Sequence, residues 1–186
     1  LPKPVSINTS NQPTLGNANA KIHIVAFEDL KCSNCMRFAT TILPKIKKQY
    51  IDTGKAKFTM MNVAFIPGSM AAANAARCVY VQNKKLFFPF VEYIYNHQPP
   101  ENVNWATVPN LLTIASKIPG IDKDKLSDCI VASPYTGLIN QNLKEGMKIM
   151  GGSVATPTVY VNGMIVTPLT MARFKTLITA AEKRAS

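Results

Sequence analysis

A pair of cysteines marks the point at which a strand-like segment gives way to a helical one. Residues 21–27 are rich in β-branched residues and predict a buried strand. Cys32 and Cys35 follow within a few positions, at the start of a helical pattern over residues 36–50, and a second strand is predicted over residues 57–63. The chain therefore predicts a strand–helix–strand unit with a Cys-x-x-Cys motif at its first turn, which is typical of an α/β fold.

The remainder of the chain places helices between two β-type ends. Its middle predicts a series of amphipathic helices, after which β-type sequence returns at residues 158–161 and 164–166. These two runs are joined by Asn-Gly, a strong hairpin signal, and a final amphipathic helix follows. We therefore predict one α/β domain built from residues 21–66 and 146–186, with an α-helical domain inserted at residues 67–145.

Composition narrows the class of protein. The chain has 186 residues, of which 47% are hydrophobic and 17% are charged, so it can bury a sizeable core without help from disulfides. This excludes a wholly disordered chain and a disulfide-dense miniprotein. The net charge of +11 comes from scattered lysines and arginines that do not alternate with aromatic residues. We therefore expect no nucleic-acid partner.

The first 20 residues are polar and rich in Asn, Pro, Ser and Thr. This composition favours a tether or disordered tail over an ordered arm with a short strand near residues 5–8. The first residue is Leu1 rather than Met, so we expect a processed or truncated chain from which any signal peptide has been removed, with a membrane tether upstream of Leu1 left open. No apolar run approaches the roughly 18 residues of a membrane-spanning helix, and we expect this part to be soluble.

Two kinds of chemistry fit Cys32 and Cys35. A thiol at a helix N-terminus faces unpaired N–H groups that favour the thiolate, the attacking species in disulfide exchange. The second cysteine, one turn later, lies within reach of the first. The alternative is half of a zinc site, which needs two further ligands. The candidates are isolated along the chain, so we favour redox chemistry and predict no metal: Cys78, Cys129, His23 and His97.

Cys78 and Cys129 lie within the predicted helical insertion. They are either two buried free thiols, which pack as small apolar residues, or a structural disulfide between two helices. An even number of cysteines and an oxidising compartment favour the disulfide.

A proline directly precedes the strand at residues 158–161. The bond between Thr156 and Pro157 belongs to the one class of peptide bond that tolerates the cis form. The alternative is an ordinary trans proline that opens a strand.

These features together resemble the DsbA family of thiol-disulfide oxidoreductases, especially its branch with BdbD-type proteins. The resemblance covers residues 18–183 and combines the Cys-x-x-Cys motif with the downstream Thr-Pro-Thr and Val-Asn-Gly. It is carried by residues 27–35, residues 43–54, the Ala-rich helix ending at Cys78, and residues 155–163.

The resemblance implies a thioredoxin-like fold with an inserted helical domain and no cofactor. It implies that Cys32 is the nucleophile, that Cys35 is the resolving thiol, and that a cis Pro157 lies beside them. The backbone of Thr156 would then pair with an extended substrate peptide. Such enzymes oxidise unfolded or cysteine-containing exported proteins in the periplasm or elsewhere outside the cytoplasm, and a membrane partner of the DsbB or VKOR type reoxidises them.

The chain departs from this pattern at the acid that precedes the motif. Thioredoxin-like proteins usually place an acidic residue six positions before the first active-site cysteine, where it helps to move protons off the second thiol. Here that position is Ala26. A water molecule or Glu28 is left as a possible proton relay, although a carboxylate at the end of a strand is more typical of a surface charge.

A second departure lies between the two cysteines. The most oxidising members of the family carry Pro-His there, and the histidine helps to stabilise the thiolate. Ser33 and Asn34 are uncharged and offer only neutral hydrogen bonds, which are weaker than charge-assisted ones. We therefore predict a Cys32 pKa above the value of about 3.5 of the strongest oxidants, and a milder oxidant.

Two other functions remain open from the sequence. A disulfide reductase or isomerase would use the same residues. Isomerases of the DsbC and DsbG type carry an N-terminal dimerisation domain, however, and about 20 residues before the first strand are too few for one, so we expect a monomer. The other alternative is a non-catalytic thioredoxin fold that carries a metal or acts as a chaperone.

Overall fold

A five-stranded mixed sheet forms the centre of the molecule. The computed structural model describes residues 1–185. The sheet has the order β1-β3-β2-β4-β5, with β2 and β3 parallel and the other neighbours antiparallel. Its strands are β1 (Thr14–Gly16), β2 (Ile22–Glu28), β3 (Ala56–Asn62), β4 (Thr158–Val161) and β5 (Met164–Ile165). The predicted mixed α/β fold with a thioredoxin-like arrangement is confirmed.

Strand β2 lies in the middle of the sheet because it can be buried on both faces. Ile24 and Ala26 point into one apolar cluster, whereas Val25 and Phe27 point into a second cluster on the opposite face. Near-continuous apolar sequence of this kind is characteristic of a strand that is covered on both sides.

One unbroken helical segment follows the cysteine motif. It consists of α1 (Ser33–Arg37), a π-helical turn (Phe38–Ile42), α2 (Leu43–Ile46) and a second π-helical turn (Lys47–Ile51). Pro44 lies in the first turn of α2. Proline has no backbone N–H, and the wider π-helical turn before it lets the chain continue without a break.

The helices between β3 and β4 pack together and against the sheet. They are α3 (Ser69–Gln82), a 3₁₀ turn (Lys84–Leu86), α4 (Phe87–Asn96), α5 (Val108–Ala115), α6 (Lys123–Ala132) and α7 (Thr136–Ile149). Cys78 of α3 and Cys129 of α6 form a disulfide, with their Cα atoms 6.1 Å apart. The largest apolar cluster runs from β2 into α3 and α4, so these helices share a core with the sheet.

The expectation of a disordered N-terminal tail is wrong, as is a strand near residues 5–8. Residues 14–16 form β1 and pair with β3, and the Val5 N–H donates to the Gly163 carbonyl at 2.9 Å. Val5 and Ile7 also pack against the second apolar cluster, which gives this polar segment its anchors. Gly163 has a φ of +82°, and a Cβ there would overlap the Val5 carbonyl oxygen, so the arm needs glycine at this turn.

Helix α8 (Met171–Ala185) closes the sheet face that the segment after the cysteines also covers. Phe174 of α8 stacks on Phe38, with ring centroids 6.4 Å apart. Within residues 1–185 we find no helix with the length and apolar character needed to span a lipid bilayer.

Candidate active site

Cys32 caps the helix that carries the second cysteine. Its backbone is extended (φ −73°, ψ 120°), which places its sulfur at the N-terminus of α1. The Cys32 Sγ accepts a hydrogen bond from the Cys35 N–H at 3.2 Å. Only 5% of the Cys32 surface is exposed, and both cysteines are free thiols. The geometry favours a thiolate at Cys32, because an N–H of the first helical turn that has no partner within the helix faces its sulfur.

The hydrogen bonds around Cys32 lower the pKa of its thiol from 9.0 to about 6. The largest cause is a hydrogen bond from the Cys35 side chain. Burial opposes it, and smaller stabilising contributions come from Thr156 and from the backbone N–H groups of Cys35 and Asn34. The value lies above the roughly 3.5 of the strongest oxidants. The milder oxidant that Ser33 and Asn34 suggest stays a prediction.

Cys35 has the opposite electrostatic environment. It is fully buried, and burial raises the pKa of its thiol far above the ordinary value. The shared hydrogen bond with Cys32 and the nearby Glu28 carboxylate raise it further. Cys35 is therefore a protonated thiol under conditions in which Cys32 is largely a thiolate.

Glu28 is not the surface charge that its place at a strand end suggested. It is 1% exposed, because β2 continues through residue 28 and pairs there with Asn62 of β3. Burial raises the pKa of its carboxyl to about 8. The Tyr95 hydroxyl partly offsets this shift, and the Cys32 thiolate adds to it.

Glu28 lies on the same face of β2 as Ala26, which occupies the position of the usual acid in thioredoxin-like proteins. Alternate residues of a strand point to the same face of a sheet, so Glu28 shares its face with Ala26 but lies one pleat nearer the cysteines. A cleft of about 520 Å³ has Glu28 in its wall and runs towards the exposed Lys47 and Lys85. The strand period alone could have indicated that this acid lies near Cys35.

The loop before β4 lies against the first cysteine. The Thr156–Pro157 peptide bond is cis, and the Cys32 Sγ lies 3.6 Å from the Thr156 carbonyl oxygen, in hydrogen-bond geometry. Thr156 and Pro157 are both partly exposed. A second cis bond, between Thr167 and Pro168, precedes α8 and was not predicted.

Two residues of the loop after α4 bind the active-site turn, and neither was predicted from the sequence. The Gln98 side-chain amide donates to the carbonyls of Leu30 at 2.7 Å and Cys32 at 3.2 Å. The Glu101 Oε1 accepts hydrogen bonds from the Ser33 N–H at 2.9 Å and the Ser33 hydroxyl at 3.1 Å. No local periodicity connects these side chains to the motif. The flanking Pro99 and Pro100 indicated only a chain break.

A buried carboxylate ties the active-site loop to the start of α3. Asp29 is fully buried and accepts hydrogen bonds from the backbone N–H groups of Lys31, Phe65 and Ile66. It also accepts one from the Ser69 hydroxyl at 3.0 Å. These four donors compensate for the burial of the carboxylate and fix the turn that leads into Cys32.

Neither histidine forms a hydrogen bond with Cys32 or Cys35. His97 is exposed, and its ring stacks on Tyr93. The His23 Nε2 bonds the Thr59 hydroxyl at 2.6 Å; burial, assisted by the charge of Lys57, lowers the pKa of His23 to about 4. Among residues 1–185 no three His, Cys, Asp or Glu side chains are grouped so that they could hold a metal ion.

Comparison with known proteins agrees with this geometry. A family model described as thioredoxin matches residues 8–180. Disulfide bond formation protein D of Bacillus subtilis is 33% identical over 158 residues, which are 83% of this chain and 69% of that protein. This chain belongs to the DsbA-like thiol-disulfide oxidoreductases.

Solved structures of DsbA-like proteins match nearly the whole chain. The oxidised BdbD of Bacillus subtilis superimposes with a TM-score of 0.90 at 29% identity, covering 98% of each chain. Chlamydia trachomatis DsbA does so with a TM-score of 0.88 at 33% identity, again covering 98% of each chain. The family and enzyme class predicted from the motifs of this DsbA-like chain are confirmed.

Proposed function

We propose that this DsbA-like enzyme donates the Cys32–Cys35 disulfide to exported proteins that contain reduced cysteines. The difference between the two thiols supports this proposal most strongly: Cys32 has a lowered pKa of about 6, and Cys35 a strongly raised one. A stabilised Cys32 thiolate is a good leaving group. The reduced enzyme is therefore favoured, and the disulfide is readily passed on.

The exchange takes place in two steps. A substrate thiolate attacks the Cys32 sulfur of the oxidised enzyme, which forms a mixed disulfide and releases Cys35. A second substrate thiolate then attacks the substrate sulfur of that mixed disulfide and releases Cys32 as a thiolate. Two electrons pass from the substrate to the enzyme, and the substrate gains one disulfide.

Glu28 serves as the proton relay for Cys35. Cys35 leaves as a thiolate in a fully buried position, where its charge is strongly disfavoured and needs a proton at once. With a pKa of about 8, Glu28 is largely protonated at neutral pH and can supply that proton. The cleft at Glu28 offers a route by which the carboxyl regains a proton from solvent.

The loop at Thr156 and Pro157 receives the substrate chain. Both residues are partly exposed, and the Thr156 carbonyl lies next to the Cys32 sulfur. An extended peptide that pairs with this backbone would bring its cysteine to Cys32 with little dependence on sequence. Residues 67–145 act as an inserted helical domain that contributes Gln98 and Glu101 to the rim of the site.

The cellular setting follows from the direction of electron flow. An enzyme that ends each cycle reduced needs an oxidant, and we assign this role to a membrane partner of the DsbB or VKOR type. Enzyme and substrates then meet outside the cytoplasm, where disulfides persist. The enzyme acts as a monomer, without nucleic acid.

The test is the equilibrium redox potential of the cysteine pair in glutathione buffers, with C32S and C35S variants to show that this pair is measured. A potential between about −120 and −200 mV supports an oxidase or an isomerase. Activity on a substrate protein whose cysteines are all reduced, with no scrambled disulfides present, then indicates the oxidase. A value near −270 mV would instead match thioredoxin-like reductants and refute disulfide donation.

A further inference from the structure

Glu101 places a carboxylate at the N-terminus of the active-site helix. Its Oε1 accepts both the Ser33 N–H, at 2.9 Å, and the Ser33 hydroxyl, at 3.1 Å. Ser33 is the first residue of α1, and the Cys32 sulfur accepts the N–H of Cys35 in the same turn. Two anionic groups, the Cys32 thiolate and the Glu101 carboxylate, therefore share the unpaired N–H groups of a single helical turn.

The sharing disfavours the thiolate in two ways. The helix N-terminus carries a partial positive charge that stabilises a nearby anion, and Glu101 uses part of this stabilisation. In addition, a like charge close to an ionisable thiol disfavours its ionised form. The disulfide of the oxidised enzyme carries no charge at Cys32, so the carboxylate destabilises the reduced enzyme selectively.

The other charged groups near the turn form their hydrogen bonds with groups other than Glu101. The Lys31 ammonium donates to the Pro67 carbonyl, the Arg37 guanidinium donates to the Asn34 side chain, and the Asp29 carboxylate is engaged by four donors. The remaining titratable groups that face Cys32 are Cys35 and the fully buried Glu28 and Tyr95. Glu101 is thus the exposed charge that bonds directly to the first residue of α1.

We propose that Glu101 is a positioning residue that holds a negative charge on Ser33, the residue after Cys32, and so makes the enzyme a weaker oxidant. The proposal rests on the proposed role of Cys32 as the nucleophile. It assigns part of the redox tuning to the helical insertion, in addition to the dipeptide between the cysteines.

The test compares wild type, E101Q and E182Q. A glutamine at position 101 keeps an oxygen that can accept the Ser33 bonds, so only the charge is removed. Glu182 lies on the last turn of α8, is exposed, and provides the same change in net charge away from α1. The Cys32 thiolate is titrated by its ultraviolet absorbance in reduced protein, and the equilibrium constant with glutathione is measured on the same samples.

We expect E101Q to lower the Cys32 pKa by about 0.2–0.7 units at low ionic strength and E182Q to leave it unchanged. The equilibrium constant should shift about two- to fivefold towards the reduced enzyme, about 9–21 mV at 29.6 mV per tenfold change. High salt should shrink the difference, because the carboxylate is exposed.

Two results would overturn the role of Glu101. One is a Cys32 pKa that is unchanged or raised in E101Q, and the other is an equal shift in E182Q, which would indicate an effect of net charge alone. Failure of the underlying assignment looks different: a titration that persists in C32S would show that Cys32 is not the ionising thiol.

Discussion

Replacing Glu28 by glutamine should change how the stability of the protein depends on pH. In the folded protein the pKa of Glu28 is raised from 4.5 to about 8, chiefly by burial. Between these two values the folded state holds a proton that the unfolded state has released. Raising the pH therefore favours unfolding, and the stability associated with the neutral carboxyl is lost as the pH approaches 8.

The size of the effect follows from the shift. One proton of difference contributes about 1.4 kcal/mol per pH unit, so the unfolding free energy of wild type relative to E28Q should fall by about 3 kcal/mol between about pH 5 and pH 7.5. Glu28 is fully buried, so this figure needs no reduction for solvent screening. The relative urea midpoint should move by about 1–3 M, for a slope of about 1–3 kcal/mol per M.

The experiment should use the reduced enzyme, because the Cys32 thiolate contributes to the raised pKa of Glu28 and is absent from the disulfide form. In reduced protein the lowered pKa of Cys32 adds an opposite slope above about pH 6, because there the folded state is the one that has lost its proton. His23, with a lowered pKa of about 4, also adds an opposite slope below its unfolded value of 6.5. The Cys32 and His23 contributions are present in both wild type and E28Q and cancel in their difference.

An exposed carboxylate provides the control. E182Q removes a glutamate from the surface of α8, and its pH profile should run parallel to that of wild type. The reasoning about Glu28 would be refuted if the profile of E28Q were also parallel to wild type. If instead the stability profile changed and the rate of disulfide exchange did not, Glu28 would be a buried acid without the relay role.

Three further predictions concern other parts of the molecule. Reaction of the reduced enzyme with an alkylating reagent should reach half its maximal rate near pH 6, through Cys32 alone, and a midpoint near 9 would contradict the hydrogen bonding described for that thiol. Replacing Cys78 and Cys129 together by alanine should lower the unfolding free energy by about 4 kcal/mol, because their disulfide closes a loop with a sequence separation of 51; thermal unfolding without any loss of stability would count against it. G163A should cost more than about 1 kcal/mol and expose the N-terminal arm to limited proteolysis, since a Cβ there overlaps the Val5 carbonyl; an arm that stays protected would show that the turn adapts.

The parts of the fold that carry strong local patterns were predictable from the sequence. Strand β2 was expected at residues 21–27 and lies at Ile22–Glu28, and the run at 158–161 coincides with β4. These predictions are correct because a strand with apolar side chains on both faces is stable only where both faces are covered. The cysteine pair at the start of a helix was also predictable, because the Cys-x-x-Cys motif coincides with the start of a helical pattern.

The features that the sequence missed depend on contacts between distant residues. Strand β1 has three residues and forms because its backbone pairs with the edge of β3, so no local pattern predicts it. Glu101 lies 68 positions from Ser33 and reaches it only because the helical insertion folds over the turn. Glu28 was misjudged because one further residue of strand decides whether a carboxylate is exposed or buried.

The arrangement of the four cysteines has a consequence for how the enzyme itself matures. Four cysteines can pair in three ways, and the Cys78–Cys129 disulfide leaves Cys32 and Cys35 to pair with each other. As the chain is synthesised from its N-terminus, Cys32 and Cys35 emerge together, well before Cys78. Each pair can therefore close between cysteines that are consecutive in the chain, so a newly made copy reaches this pairing without reshuffling its disulfides.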